Sequence, residues 1–190
     1  MAMLDEDAFS ALNVLYLKKM ASARDLADLS GLPADRVRAM VSSFEEQGWL
    51  LDMDGELLIQ PEGMEQVQGY YREAYSDLSQ RDEMLRWYDR FDALNGQFIK
   101  FVTDWQQTEG DHRAEKHVLT TVERLVKLIG EMTQLVPRYA GYIRRFDRSM
   151  ATVDQGNPDF VCTPTVDSLH NIWFEFHEDF LDVLGRPRDA

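Results

Sequence analysis

Seven large apolar residues, Leu85, Tyr88, Phe91, Leu94, Phe98, Phe101 and Trp105, follow one another at spacings of three, three, three, four, three and four. An α-helix, with its 3.6-residue turn, brings such a series onto one face, and that face must be buried. The next segment repeats the period through Val118, Leu119, Val122, Leu125, Ile129, Met132 and Leu135. GMEQVQGYYREAYSDL precedes the pair as a further helical segment, and Pro137 restarts the chain as PRYAGYIRRFDRSMATV after it. DQGNPDFVCTP has the composition of an irregular loop. Thr163 then reads as an N-cap, Pro164 as the first helical position and Gly185 as the stop of a last helix, TVDSLHNIWFEFHEDFLDVLG. Residues 64–190 are therefore expected to form a bundle of long antiparallel helices.

Residues 1–63 read as a separate, smaller domain. Phe9, Leu12, Leu15 and Tyr16 have helical spacing, with acids in the first turn and Lys18-Lys19 in the last. Ser22 and Asp25 make a capping box for a short helix, ARDLADLS, that Gly31 closes. Pro33 then opens a longer helix with Val37, Met40, Val41 and Phe44 on one apolar stripe, ended by Gly48. Trp49-Leu50-Leu51 and Leu57-Leu58-Ile59 flank Asp54-Gly55, which is a hairpin signal. The fold expected is mainly α, with one small β-hairpin in the N-terminal third.

The stretch ARDLADLSGLPADRVRAMVSSFEEQGWLL, with the hairpin and IQPEG after it, resembles the bacterial winged helix-turn-helix regulators of the MarR-like, PadR-like and GntR-like group. Gln60-Pro61-Glu62-Gly63 stands where such families often carry a Thr-Pro-Glu-Gly turn. The resemblance covers about a third of the chain and rests on pattern. It implies that the hairpin is a wing and that the third helix enters the major groove of double-stranded DNA. The buried stripe leaves Arg36, Arg38, Ser42 and Ser43 pointing outward for guanine edges or phosphate, with Arg24 as a backbone contact.

Charge opposes that expectation. The chain carries 20 Lys and Arg against 34 Asp and Glu, a net of −14. Residues 1–65 hold five bases and 13 acids, a net of −8, and the wing tip Asp52-Met53-Asp54-Gly55-Glu56 has three carboxylates and no base. DNA affinity comes mainly from phosphate neutralisation. Two readings from different classes follow: a DNA-binding transcriptional regulator, or a winged-helix adaptor that binds protein.

The remaining sequence narrows the classes further. No apolar run is long enough for a membrane span, the N-terminus lacks a signal-peptide pattern, and Cys162 is the only cysteine. A cytoplasmic protein is expected. No nucleophile elbow, phosphate loop or dinucleotide motif occurs, so neither an enzyme nor a cofactor is expected. In the last helix Asp167 and His170 read as i, i+3, and His170 and His177 as i, i+7 with Trp173 between them. His170, Trp173 and His177, with Trp105 and Tyr142, are the candidates for lining an effector pocket. Asp167, His170 and His177 are not expected to hold a metal, since bundle metal sites need a second carboxylate-histidine pair. The aromatic-rich bundle could hold a small apolar effector, or the same rings could fill a core or dimer interface. Its apolar surplus predicts a homodimer through the C-terminal helices.

Overall fold

The computed structural model describes residues 4–108 and 110–187. It is mainly helical, with one three-stranded antiparallel sheet. Two compact units are present: residues up to Ser79 together with those from Leu181 on, and Gln80–Phe180. No helix among the described residues is long and apolar enough to cross a membrane.

The first unit begins with α1 (Glu6–Lys18), whose first free amides are met by the Asp5 carboxylate, 2.7 Å from the Ala8 nitrogen. Phe9, Leu12, Leu15 and Tyr16 form its buried face, as their spacing requires. A three-residue strand, β1 (Met20–Ser22), follows directly. Helix α2 (Ala23–Ser30) then starts on the Ser22–Asp25 capping box: Asp25 N–H donates to Ser22 Oγ at 3.2 Å, and Ser22 N–H donates back to Asp25 Oδ2 at 3.0 Å. Helix α3 (Ala34–Glu46) buries Val37 and Phe44, while Met40 and Val41 are half-buried at the stripe's edge.

Strands β2 (Leu50–Met53) and β3 (Glu56–Ile59) make the hairpin, with Asp54 at φ 57° and Gly55 at φ 96°. A two-residue turn with both centres left-handed matches the twist of the strands it joins. Asp52 Oδ1 accepts from the Gly55 amide at 2.7 Å and holds the turn from outside. The sheet order is β1-β3-β2, so β1 completes the hairpin on the far side of β3. Strand β1 was not expected, because three residues between a helix end and a capping box are too few to show a period.

Helix α4 (Pro61–Ala74) and the short α5 (Ser76–Ser79) close this unit. Tyr71 donates to Asn13 Oδ1 at 2.9 Å, and Tyr70 stacks on Phe9 with ring centroids 3.8 Å apart. The helix after residue 63, which the sequence assigns to the bundle, thus packs on α1 inside the first unit.

The second unit contains α6 (Asp82–Gln107), α7 (His112–Met132), a 3₁₀ turn at Pro137–Tyr139, α8 (Ala140–Asp154), α9 (Asp159–Cys162) and α10 (Leu169–Leu184) as far as Phe180. On α6 the buried series is Met84, Trp87, Phe91, Leu94, Phe98 and Val102. The stripe is turned relative to the expected one, leaving Leu85, Tyr88, Phe101 and Trp105 half-buried along its flank. Trp87, on the buried side, donates from Nε1 to Glu131 at 3.2 Å.

The last helix begins later than the Thr163-Pro164 signal predicts. Asn171 Nδ2 serves the carbonyls of Thr163, Pro164 and Val166 at 3.2, 3.1 and 2.8 Å, and Ser168 Oγ accepts the Asn171 amide at 3.3 Å. Those bonds satisfy residues 163–168 as a turn and make Ser168 the cap.

Candidate functional site

The residues marked for DNA lie at the surface of the first unit. Arg24, Arg36, Arg38, Ser42 and Ser43 are all exposed, the last four on α3. Their charge is not free, however. Arg36 bonds Asp7 in the first turn of α1, Arg38 bonds Asp35 one turn before it, and Arg24 lies 3.7 Å from Asp28. Ser42 donates to the Arg38 carbonyl at 3.3 Å, and Gln47 donates to Ser43 Oγ at 3.1 Å. Glu45 and Glu46, also exposed, end the same helix. Each of these arginines therefore arrives with its own carboxylate, and the hairpin of the same unit ends in Asp52, Asp54 and Glu56. The local field around a phosphate would be repulsive or neutral at contact range.

The same unit presents apolar side chains on the outer face of its sheet. Met20, Leu58 and Leu51 lie in register across β1, β3 and β2, and Met53 continues the face along β2. Met20, Leu51 and Met53 are 54%, 47% and 56% exposed. Alternation places Leu50, Leu57 and Ile59 on the opposite, buried face.

In the second unit four of the five pocket candidates stand along one cluster of rings. Trp173 is buried flat on Phe98, with centroids 3.9 Å apart, and donates from Nε1 to Asn95 Oδ1 at 3.0 Å. His177 packs on Phe91 at 4.9 Å, and Tyr142 sits edge-on to Phe176 at 5.2 Å. These rings fill the space between the helices themselves. His170 is exposed on α10, and Trp105 lies at the other end of α6 against Gly110. A groove of about 350 Å³ opens near that end, with Phe101, Asp104, Asp111 and His117 among its walls and none of the five expected residues. Asp167 precedes α10, so its helical pairing with His170 does not form.

Asp167 belongs instead to a polar centre that the sequence reading missed. Arg145 donates from Nε and Nη2 to the two Asp167 oxygens at 3.0 and 2.5 Å, and from Nη2 to Glu175 at 2.6 Å. Arg138 grips the fully buried Asp179 with both Nη atoms, and Tyr142 donates to the same carboxylate at 2.9 Å. Burial works against the Arg145 charge, but the Asp167 hydrogen bond and the Glu175 and Asp167 charges outweigh it and raise its pKa. Burial, then the Asp179 charge, pushes the Tyr142 phenol well above its ordinary value. The signal available was spacing: Arg138, Tyr142 and Arg145 fall on one face at i, i+4 and i+7, and Glu175 and Asp179 at i, i+4. With its charges paired and its donors met, this centre locks α8 to α10.

Comparison with family models, with curated proteins and with solved structures gives no match.

Proposed function

We propose that the first unit is a winged helix-turn-helix used to dock a protein, which makes the chain a regulatory adaptor. The order helix, strand, helix, helix, hairpin, with β1 zipped to β3, supports the winged-helix assignment. One observation carries the choice of partner: Arg24, Arg36 and Arg38 are each paired with a carboxylate of the same unit. A surface that has neutralised its own cations gains little from releasing counterions on a phosphate backbone.

A second reading, a DNA-binding transcriptional regulator, is favoured by the exposure of Arg36, Arg38, Ser42 and Ser43 on α3. Exposed ion pairs are worth about 0–1 kcal/mol, so a phosphate can displace Asp7 or Asp35. Its partners would be double-stranded DNA, a second copy of the chain and a small-molecule effector. Fluorescence anisotropy of genomic duplex fragments with the full chain, at about 50 mM and about 200 mM salt, separates the two. The adaptor reading expects no saturable binding at either salt. Binding that weakens with salt and is lost in Arg36→Ala would establish the DNA reading in its place.

A further inference from the structure

We infer that the hairpin edge is a docking strand for a protein segment that alternates apolar and cationic residues. The inference rests on the adaptor reading and names the chemistry of its partner. Among the described residues β2 pairs on one side only, with β3, and stands at the edge of the sheet. An unpaired edge offers a row of amides and carbonyls to an added strand. Strand addition also dictates side-chain direction, because an added strand follows the same two-residue alternation.

On the outer face, Leu51 and Met53 are exposed and continue into Leu58 and Met20. Side chains of the added strand on this face would lie beside them, and apolar ones would bury what is now wet. On the other face Asp52 is exposed beyond the core; at the hairpin tip Asp54 in the turn and Glu56, opposite Met53 on the outer face, are exposed too, as is Asp25 beside Ser22. A side chain beside Asp52 is best cationic, since opposite charges on neighbouring strands attract and like charges repel. Lys18 and Lys19 lie before Met20, at the start of β1 rather than at the tip.

The same carboxylates argue against the other occupants. Nucleic acid and anionic lipid would meet repulsion at the tip. Two copies joined through β2 would set Asp52 and its symmetry mate on one face of a continuous sheet, again with repulsion. The face therefore selects for an alternating basic and apolar strand.

The test uses the full chain and a labelled ten-residue peptide of alternating Lys and Val, with a Glu-Val peptide as its counterpart. Anisotropy should show saturable binding of the Lys-Val peptide, and backbone amide shifts should localise to residues 50–53. Leu51→Ser, an exposed change, should weaken binding about tenfold by removing apolar contact. Asp52→Asn combined with Glu56→Gln should weaken it about threefold at low salt, with the difference shrinking at high salt. Arg36→Ala should leave it unchanged. Thermal melts of each variant exclude unfolding as the cause. Equal binding of the Glu-Val peptide, no effect of Leu51→Ser, shifts elsewhere on the chain, or no binding at all would overturn the inference. So would dimerisation of the free chain that Leu51→Ser abolishes. Duplex DNA lost on Arg36→Ala, by contrast, would sink the adaptor reading whatever the peptides do.

Discussion

Gly63 passes so close to Trp49 that a Cβ at its position would stand 2.3 Å from the Trp49 carbonyl oxygen. The same carbonyl accepts the Gln60 amide at 2.9 Å, so the start of α4 is held against the entry to β2. Here the Gln-Pro-Glu-Gly turn has a physical reason: only glycine lets a helix approach backbone this closely. Gly63→Ala should therefore lower stability by about 1–3 kcal/mol, as overpacking does. Gly130, in the last turn of α7 with nothing within 4 Å of its added Cβ, is the opposite case. Gly130→Ala should raise stability by about 0.5–1 kcal/mol. Urea denaturation of both variants checks the pair, and equal signs would contradict it.

Removing Arg145 takes a buried cation from two carboxylates. Glu175 is nearly buried and loses its Arg145 hydrogen bond, while Asp167 loses both of its partners on that guanidinium. Arg145→Met should cost about 3–5 kcal/mol, the usual penalty for breaking a buried pair from one side. The exposed Arg90–Glu131 pair is the control, 2.6 and 2.8 Å long but open to water. Arg90→Met should cost about 1 kcal/mol or less. Denaturation midpoints at neutral pH measure both, and a cost for Arg145→Met no larger than the control would refute a locking role.

The Tyr142 phenol is held protonated by burial and by the Asp179 charge. Its folded pKa lies above the unfolded one, so its contribution is complete below the ordinary tyrosine value and is lost as pH rises beyond it. The unfolded chain releases that proton first and is stabilised by doing so. Wild-type stability should fall more steeply above about pH 10 than that of Tyr142→Phe, whose position cannot ionise. The variant starts lower at neutral pH, because Asp179 loses a donor worth about 1.5–3 kcal/mol. Parallel curves for the two proteins through the alkaline range would contradict the assignment.

Glu131 responds at the other end of the scale. The Arg90 hydrogen bond lowers its pKa. A lowered carboxylate pKa contributes stability above the unfolded value, and that contribution disappears as pH falls through the folded one. Glu131→Gln should be slightly less stable than wild type at neutral pH, and the two should converge on acidification. Both carboxylate oxygens are near solvent and salt, so the gap should also narrow in high salt. A gap unchanged by pH would contradict the lowered pKa as its cause.

The elements legible in the sequence are those whose cause is local. The Ser22–Asp25 capping box, the Asp54-Gly55 turn and the apolar face of α1 each arise within a few residues, where spacing and side-chain chemistry suffice. The rings of Tyr142, His170, Trp173 and His177 pack on Phe176, Phe98 and Phe91 of a core, with Trp105 apart from them, because a helical period gives a face without saying what meets it. The late start of α10 comes from nearby Asn171, whose bonds to residues 163–168 compete with the Thr163-Pro164 signal. The face that α6 buries and the pairing of β1 with β3 depend instead on groups distant in the chain. So does the charge state of the α3 face: Arg36 looks like a free cation until α1 brings Asp7 to it. Sequence by itself determined where the long helices run and where the hairpin turns, since those follow from short-range hydrogen bonding and periodicity, while the short α9 forms inside DQGNPDFVCTP, which reads as a loop. Tertiary structure alone decided which side of each helix is buried and which charges are already paired, since burial and ion pairing are properties of neighbours in space.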